Sequence, residues 1–70
     1  MFKVKTELIE GYMTEHNMTN RDFAKHCDVP ITAITRLLRT KKSYNLILLF
    51  RIACGIDIDV RKLFDEVKEV

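Results

Sequence analysis

The chain has 70 residues, enough for one domain, and its hydrophobic fraction of 47% is ordinary for a globular protein and argues against disorder. No apolar segment approaches the ~18 residues that cross a bilayer, and the first residues lack a long apolar signal region. We therefore expect one cytoplasmic domain over residues 1–70 with no membrane contact. The net charge of +2 is too small to indicate a nucleic-acid partner by itself.

The first predicted element is a helix over residues 4–17. Leu8, Ile9, Tyr12 and Met13 recur at the spacing of one helical face, which is the pattern of an amphipathic helix packed on a core. Residues 17 and 18 then link this helix to the next one.

A second helix is predicted between Thr19 and Asp28. The side chain of Thr19 can cap the helix start, and Asp22 three residues later can reach back to it, which is an Asp variant of the capping box. Apolar residues follow at helical spacing: Phe23, Ala24 and Cys27. Asp28 should end the helix, since Asp tolerates the left-handed conformation better than most residues do.

A third helix is predicted directly after this turn, with Val29 in the core and Pro30 in the first turn, where its missing N–H would have no partner anyway. The buried stripe of this helix comprises Ile34, Leu37 and Leu38. The opposite face carries Ile31, Thr32, Thr35, Arg36 and Arg39. A helix with short polar groups and arginines on its open face has the surface that reading the DNA major groove requires.

A basic loop over residues 39–44 leads to a fourth helix, which Asn45 can cap and which we expect over residues 46–54. Its expected core stripe is Leu46, Leu49, Phe50 and Ala53. Ile47 and Leu48 are surplus to this stripe. They are either extra core residues or an exposed patch that pairs with another subunit, and we favour the patch.

The chain then connects through residues 55–59 to a last helix, predicted from Val60 to about Lys68 and capped by Asp59. Ile56 and Ile58 should point inward, and Asp57 should adopt the left-handed position after the fourth helix. The stripe of the last helix is Val60, Leu63, Phe64 and Val67. Val67 and Val70 extend the apolar face past what a small core needs, so we assign them, with Ile47 and Leu48, to a dimer or partner interface.

The charges are unevenly distributed along the chain. No Asp or Glu occurs from Val29 to Ile56, and all ten acidic residues lie outside this span. The span contains five cations: Arg36, Arg39, Lys41, Lys42 and Arg51. A basic strip on a nearly neutral domain is an electrostatic footprint for phosphate, although a charge cluster can equally be a solvated face.

Catalysis and metal binding have little support in the residue pattern. Cys27 and Cys54 are far apart and each lies in an apolar helical stripe, so we expect both to be reduced core residues. The histidines and Asp28 add no recognisable metal-ligand spacing. No Ser or Cys nucleophile stands near a base, and there is no Gly-rich phosphate loop. We expect no enzyme activity, no cofactor, no metal and no small-molecule substrate.

The pattern resembles the lambda-repressor-like helix-turn-helix family, of the Cro/repressor or XRE type, over residues 19–64. Asn20 and Ala24 stand at the polar and buried positions that open the family motif, and Ile34 at the inward position of its reading helix. The segment CGIDIDVRKLF, residues 54–64, is similar to the family's later segment. The resemblance implies an all-α fold, a compact bundle of about five short helices with a central helix-turn-helix.

By the same resemblance, the expected function is that of a sequence-specific transcriptional regulator of double-stranded DNA. It would be a small repressor of phage or mobile-element type that binds a palindromic operator as a homodimer. The resemblance places base contacts at Ile31, Thr32 and Arg36. It places backbone contacts at Asn20, Thr35, Arg39, Lys41 and Lys42. The alternative is a protein-interaction module on the same fold, of antitoxin or anti-repressor type, which acts mainly through a protein partner.

The chain departs from the family pattern at several positions. The family often has glycine where this chain has Asp28, Thr40 and Asp57. A β-branched residue adopts the left-handed conformation poorly, so the loop at Thr40 is expected to differ. Met13 and Leu38 stand where family members often carry an ion pair between the first helix and the reading helix, and such an apolar replacement is physically coherent.

Overall fold

The computed structural model describes residues 1–66, which form five short helices and three short strands. The helices are α1 (Thr6–Glu15), α2 (Asn20–Cys27), α3 (Ile31–Thr40), α4 (Leu46–Gly55) and α5 (Val60–Leu63). The strands are β1 (Phe2–Val4), β2 (Lys42–Ser43) and β3 (Phe64–Glu66). About 64% of this structure is helical, and the helices pack compactly. Among the described residues, no helix is long and apolar enough to cross a bilayer.

One hydrophobic core joins all five helices. Its largest fully buried side chains are Ile9 of α1, Phe23 of α2, Ile34 of α3, Leu49 and Ile52 of α4, and Leu63 of α5. Burying a side chain of this size stabilises the fold by about 1.5–3 kcal/mol. The predicted stripes of α2 and α3 are buried as expected, with Leu38 and Val29 only partly buried against the core. This packing fixes which face of α3 is turned outward.

A small antiparallel sheet, with strand order β2-β1-β3, corrects the prediction of an all-α fold. In β1, Phe2 pairs with Ser43 of β2 on one side and with Glu66 of β3 on the other. Val4, which we predicted at the start of the first helix, is a buried strand residue, and its N–H donates to the Lys41 carbonyl at 2.9 Å. The sheet therefore closes the helical core with segments from both ends of the described chain.

The last predicted helix is wrong beyond Leu63. α5 has only four residues, and Phe64 leaves it in extended conformation to begin β3. The ring of Phe64 packs edge-on against the ring of Phe2, with 4.8 Å between the centroids. Backbone pairing with β1 and this ring contact replace the helix that the apolar spacing indicated. Val67 and Val70, which we assigned to an interface, lie outside the described residues.

The helix ends agree with the backbone predictions at Asp28, Thr40 and Asp57. Asp28 and Asp57 have φ angles of 57° and 58°, which is the left-handed conformation expected of both. At the end of α3 the loop differs from the glycine pattern as expected, because the helix continues through Thr40 and Lys41 adopts the left-handed conformation with φ 59°. The unbranched side chain of Lys41 meets less steric resistance there than the β-branched side chain of Thr40 would.

α4 exposes a different set of residues from the predicted one. Leu49 and Ala53 are buried as expected, but Leu46 and Phe50 are exposed and Ile52 takes their place in the core. Cys54, predicted as a core residue, is exposed. Because nearly every position of α4 is apolar, its periodicity could not select the inward face.

Candidate nucleic-acid interface

α2 begins at a complete capping box, as the sequence predicts. The hydroxyl oxygen of Thr19 accepts a hydrogen bond from the Asp22 N–H, and the Asp22 carboxylate accepts one from the Thr19 N–H, both at 3.1 Å. The hydrogen bond from the Thr19 N–H to the Asp22 carboxylate, helped by the Thr19 hydroxyl, lowers the pKa of Asp22 below its ordinary value. The start of α2 is thereby fixed without help from the rest of the fold.

Three residues join α2 to α3. Left-handed Asp28 ends α2, and the Val29 N–H donates to the Ala24 carbonyl at 3.0 Å while its side chain packs on the core. Pro30 is the N-cap of α3, one residue before the first turn in which we had placed it. Its φ of −63° is the value that its ring prefers, so the connection needs no strained proline.

The outward face of α3 consists of the five residues that the sequence placed there. Ile31, Thr32, Thr35, Arg36 and Arg39 are all exposed, and with Pro30 and Ala33 they line one shallow depression of about 590 Å³. The opposite face is held in the core by Ile34 and Leu37. This face of α3 is therefore open to a large ligand.

Thr35 differs from its neighbours because its hydroxyl is already engaged. The Thr35 hydroxyl donates to the Ile31 carbonyl at 3.0 Å, which is the i−4 back-bond common for threonine in helices. A phosphate oxygen only accepts hydrogen bonds, so the hydroxyl would have to rotate away from Ile31 to bind one. Thr35 is thus a weaker candidate for a phosphate contact than the cations beside it.

Four of the five cations of the acid-free span are exposed on or directly after α3. Within residues 1–66, no carboxylate forms an ion pair with any of them: Arg36, Arg39, Lys41 and Lys42. Asn20, the remaining predicted backbone contact, is exposed at the first position of α2. These side chains keep their donors available for an anionic ligand.

The fifth cation, Arg51, is used inside the molecule. Its guanidinium donates to the Asp28 carbonyl oxygen at 2.8 Å and to the Asp28 carboxylate at 3.2 Å, which ties α4 to the connection before α3. The pair is exposed, so it contributes little to stability. It does place a positive charge beside the one acidic residue of that connection, which the sequence alone could not show.

A second brace joins the end of α2 to α1 and α4. The Nε2 atom of His26 lies 2.7 Å from the Gly55 carbonyl oxygen and 3.2 Å from the Tyr12 hydroxyl. A carbonyl oxygen can only accept, so Nε2 carries the proton and donates it there. Both braces contact the C-terminal end of α2, directly before the connection to α3.

The structure exposes only one of the two α4 residues that we assigned to a dimer or partner interface. Ile47 is 68% exposed, whereas Leu48 is partly buried and packs against the core. Tyr44, Leu46 and Phe50 are also exposed; we had placed Leu46 and Phe50 in the core stripe and Tyr44 in the basic loop. Their only signal in the sequence was an excess of apolar residues in and before α4.

Comparisons with protein-family models, with curated proteins and with solved structures find no match to this chain. Among residues 1–66, no group of three or more His, Cys, Asp or Glu side chains could hold a metal ion. What the geometry brings together is one open helix face, four cations on or just after that helix, and an exposed apolar surface nearby on α4.

Proposed function

We propose that the protein is a sequence-specific transcriptional regulator that binds double-stranded DNA in the cytoplasm. It would act as a small repressor of phage or mobile-element type on a palindromic operator. In this proposal α2, residues 28–30 and α3 form a helix-turn-helix whose reading helix is α3. The observation that carries the proposal is the open face of α3, whose two arginines have no acidic partner within residues 1–66.

Direct reading of bases falls to three side chains of that face. Arg36 lies in the middle of it and can donate two hydrogen bonds to the O6 and N7 atoms of guanine, a contact worth about 1–3 kcal/mol against a wrong base. Ile31 and Thr32, in the first turn of α3, offer methyl groups for the thymine C5-methyl. These three residues would set the sequence preference.

The backbone contacts fall to residues that flank this face. Arg39, Lys41 and Lys42 follow the reading residues in the chain, and Asn20 lies at the start of α2. Cations and amides at such positions hold the protein on the duplex without reading its sequence. Thr35 joins them only when its hydroxyl leaves the Ile31 carbonyl.

A single reading helix covers only a few base pairs, so we propose that two copies bind together. In a two-fold dimer the reading helices lie about 34 Å apart, one turn of duplex, and the operator is palindromic.

Selection of bound duplexes from a random pool tests the proposal. We expect an enriched palindrome with half-sites about 10 base pairs apart, and an affinity that falls with salt at a log–log slope near −0.9 per phosphate contacted. If the protein binds neither random nor selected duplexes at low salt, the proposal is wrong.

The second candidate function is a protein-interaction module of antitoxin or anti-repressor type. The observation that favours it is the exposed apolar surface at the start of α4, above all Ile47. A module of this kind would bind its partner through apolar contacts, so its affinity would depend far less on salt than DNA binding does.

A further inference from the structure

A groove of about 880 Å³ lies between α3 and the segment 42–48 that leads into α4. We call it the α3–α4 groove. The buried Leu37 and the partly buried Leu48 form its floor, and the exposed Leu46 and Ile47 form its outer wall. Its volume is within the range of about 300–1,000 Å³ that is typical of ligand sites.

The groove is formed in the free protein. The Thr40 hydroxyl carries one proton, which it can donate to the Arg36 carbonyl oxygen at 2.9 Å within α3 or share with the Lys42 carbonyl oxygen at 3.2 Å at the start of β2. The Asn45 side-chain oxygen accepts from the Leu48 N–H at 3.2 Å and caps α4. Because both walls are held by such hydrogen bonds, a ligand needs little reorganisation to enter.

The positive charges that line the groove favour an acidic occupant. Arg36 and Lys42 line it beside the apolar side chains, and no acidic residue occurs from Val29 to Ile56. Within residues 1–66 neither cation has an acidic partner. A second copy of the chain, docked groove against groove, would bring two further cations against these and be repelled. A peptide segment that carries both apolar side chains and carboxylates can pack on the apolar floor and pair with the two cations.

Arg36 belongs to two surfaces at once, since it lines this groove and also the outward face of α3. A carboxylate bound at Arg36 would remove that side chain from base reading and add negative charge where a phosphate backbone must approach. We propose that the α3–α4 groove binds an acidic, amphipathic peptide segment of a partner protein, and that this binding excludes DNA. The exclusion rests on the DNA-binding function proposed above, whereas the docking does not.

The docking is tested by selecting a phage-displayed library of random 16-residue peptides on the immobilised full chain. We expect the enriched peptides to combine several apolar residues with a net negative charge. A synthetic copy should bind Leu46→Ser roughly fivefold or more weakly than the natural protein in fluorescence anisotropy. Leu8→Ser is the matched control, because Leu8 is a helical leucine outside the groove that is 40% exposed, against 38% for Leu46.

Several results would overturn the docking site. These are the absence of any enriched peptide, enrichment of neutral or basic peptides, and equal losses in Leu46→Ser and Leu8→Ser. Sedimentation that shows a dimer of the natural protein and a monomer of Leu46→Ser would also overturn it, because a second copy would then occupy the groove.

The exclusion is tested by titrating the same peptide into a complex of the protein with its selected duplex. We expect displacement of the duplex from the natural protein, and displacement at a higher peptide concentration from Leu46→Ser. A ternary complex of protein, peptide and duplex would overturn the exclusion. If peptides bind the groove while no duplex binds at low salt, the DNA-binding function is wrong and the docking site stands.

Discussion

Arg36 and Lys42 both line the α3–α4 groove, yet we assign them different roles in DNA binding. Arg36→Ala should relax discrimination at one base pair, at a cost of about 1–3 kcal/mol for the preferred base. Lys42→Ala should weaken binding to all sequences alike and reduce the salt slope by about 1. Affinities for every single-base variant of the selected duplex measure both effects. Two indistinguishable mutants would refute the assignment.

The two cysteines differ in reactivity because they differ in burial. Burial raises the pKa of the Cys27 thiol to about 11, so almost none of it is thiolate at neutral pH, and the side chain lies in the core. Cys54 is exposed on α4. Iodoacetamide should therefore alkylate Cys54 in the folded protein and reach Cys27 only after unfolding, which peptide mass spectrometry can follow. Equal labelling rates in the folded protein would contradict this burial.

Asp59 should make stability depend on pH in the acidic range. Hydrogen bonds from the Arg61 guanidinium and the Arg61 backbone N–H hold the pKa of Asp59 at about 2. The unfolded chain binds this proton near pH 4, so the contribution is present above pH 4 and is lost as pH falls to about 2. Melting temperatures of Asp59→Asn should fall less steeply over this window, with Asp65→Asn as the control for losing an exposed carboxylate. Identical slopes in natural protein and Asp59→Asn would contradict the prediction.

At the scale of elements, Gly55 sets how closely the C-terminal ends of α2 and α4 approach. A Cβ atom at position 55 would lie 2.5 Å from the Cys27 sulfur, and at Gly11 it would have no neighbour within 4 Å. Gly55→Ala should thus lower the free energy of unfolding by about 1–3 kcal/mol. Gly11→Ala, in the middle of α1, should raise it by about 0.5–1 kcal/mol. Urea denaturation measures both changes.

A double mutant separates this steric effect from a loss of helix flexibility. Cys27→Ala removes the sulfur that the new Cβ would meet, so Gly55→Ala should destabilise that background less than it destabilises the natural protein. Additive losses in the double mutant would show that the sulfur is not the obstacle.

The features that depend on only a few consecutive residues were predicted correctly. The capping box of Thr19 and Asp22 and the left-handed turns at Asp28 and Asp57 each depend on a few consecutive residues, and all four residues behave as predicted. β1 was not predicted, and its last residue, Val4, was assigned to the first helix, because the partners of β1 lie some 40 and 60 residues further along the chain. A strand of only three residues is also too short to show an alternating pattern that could identify it from the sequence.

The candidate site was predictable to a similar extent. Once Ile34 and Leu37 are assigned to the core, helical geometry fixes which residues of α3 face outward. The role of Arg51 was not predictable, since its partner Asp28 is 23 residues away and the sequence counted both as surface charges. The groove beside Arg36 was missed for the same reason, because it forms only where α3 meets the segment before α4.

For the whole molecule, β1 joins the start of the chain to the core, through Val4, and to β3 at the other end of the described residues. The side chain of Val4 is buried, while Lys3 next to it is exposed. Val4→Ala should lower the free energy of unfolding by about 1–3 kcal/mol, and Lys3→Ala should change it by less than about 0.5 kcal/mol. A single urea transition of the helices, followed by circular dichroism, whose midpoint shifts in Val4→Ala but not in Lys3→Ala would show that β1 unfolds with the helices. Equal effects of the two mutants would mean that β1 is not part of the cooperative unit.

The pairing of Phe2 with Glu66 has a practical consequence for engineering. Residue 2 and residue 66, the last residue that the structure describes, lie side by side at one end of the sheet, a strand spacing of about 5 Å apart. A short flexible linker could join them into a circular permutant opened at an exposed loop such as the one around Asn17. A reporter domain joined directly to residue 2 or directly to residue 66 would be attached at the same end of the sheet, so one fusion geometry serves both orientations.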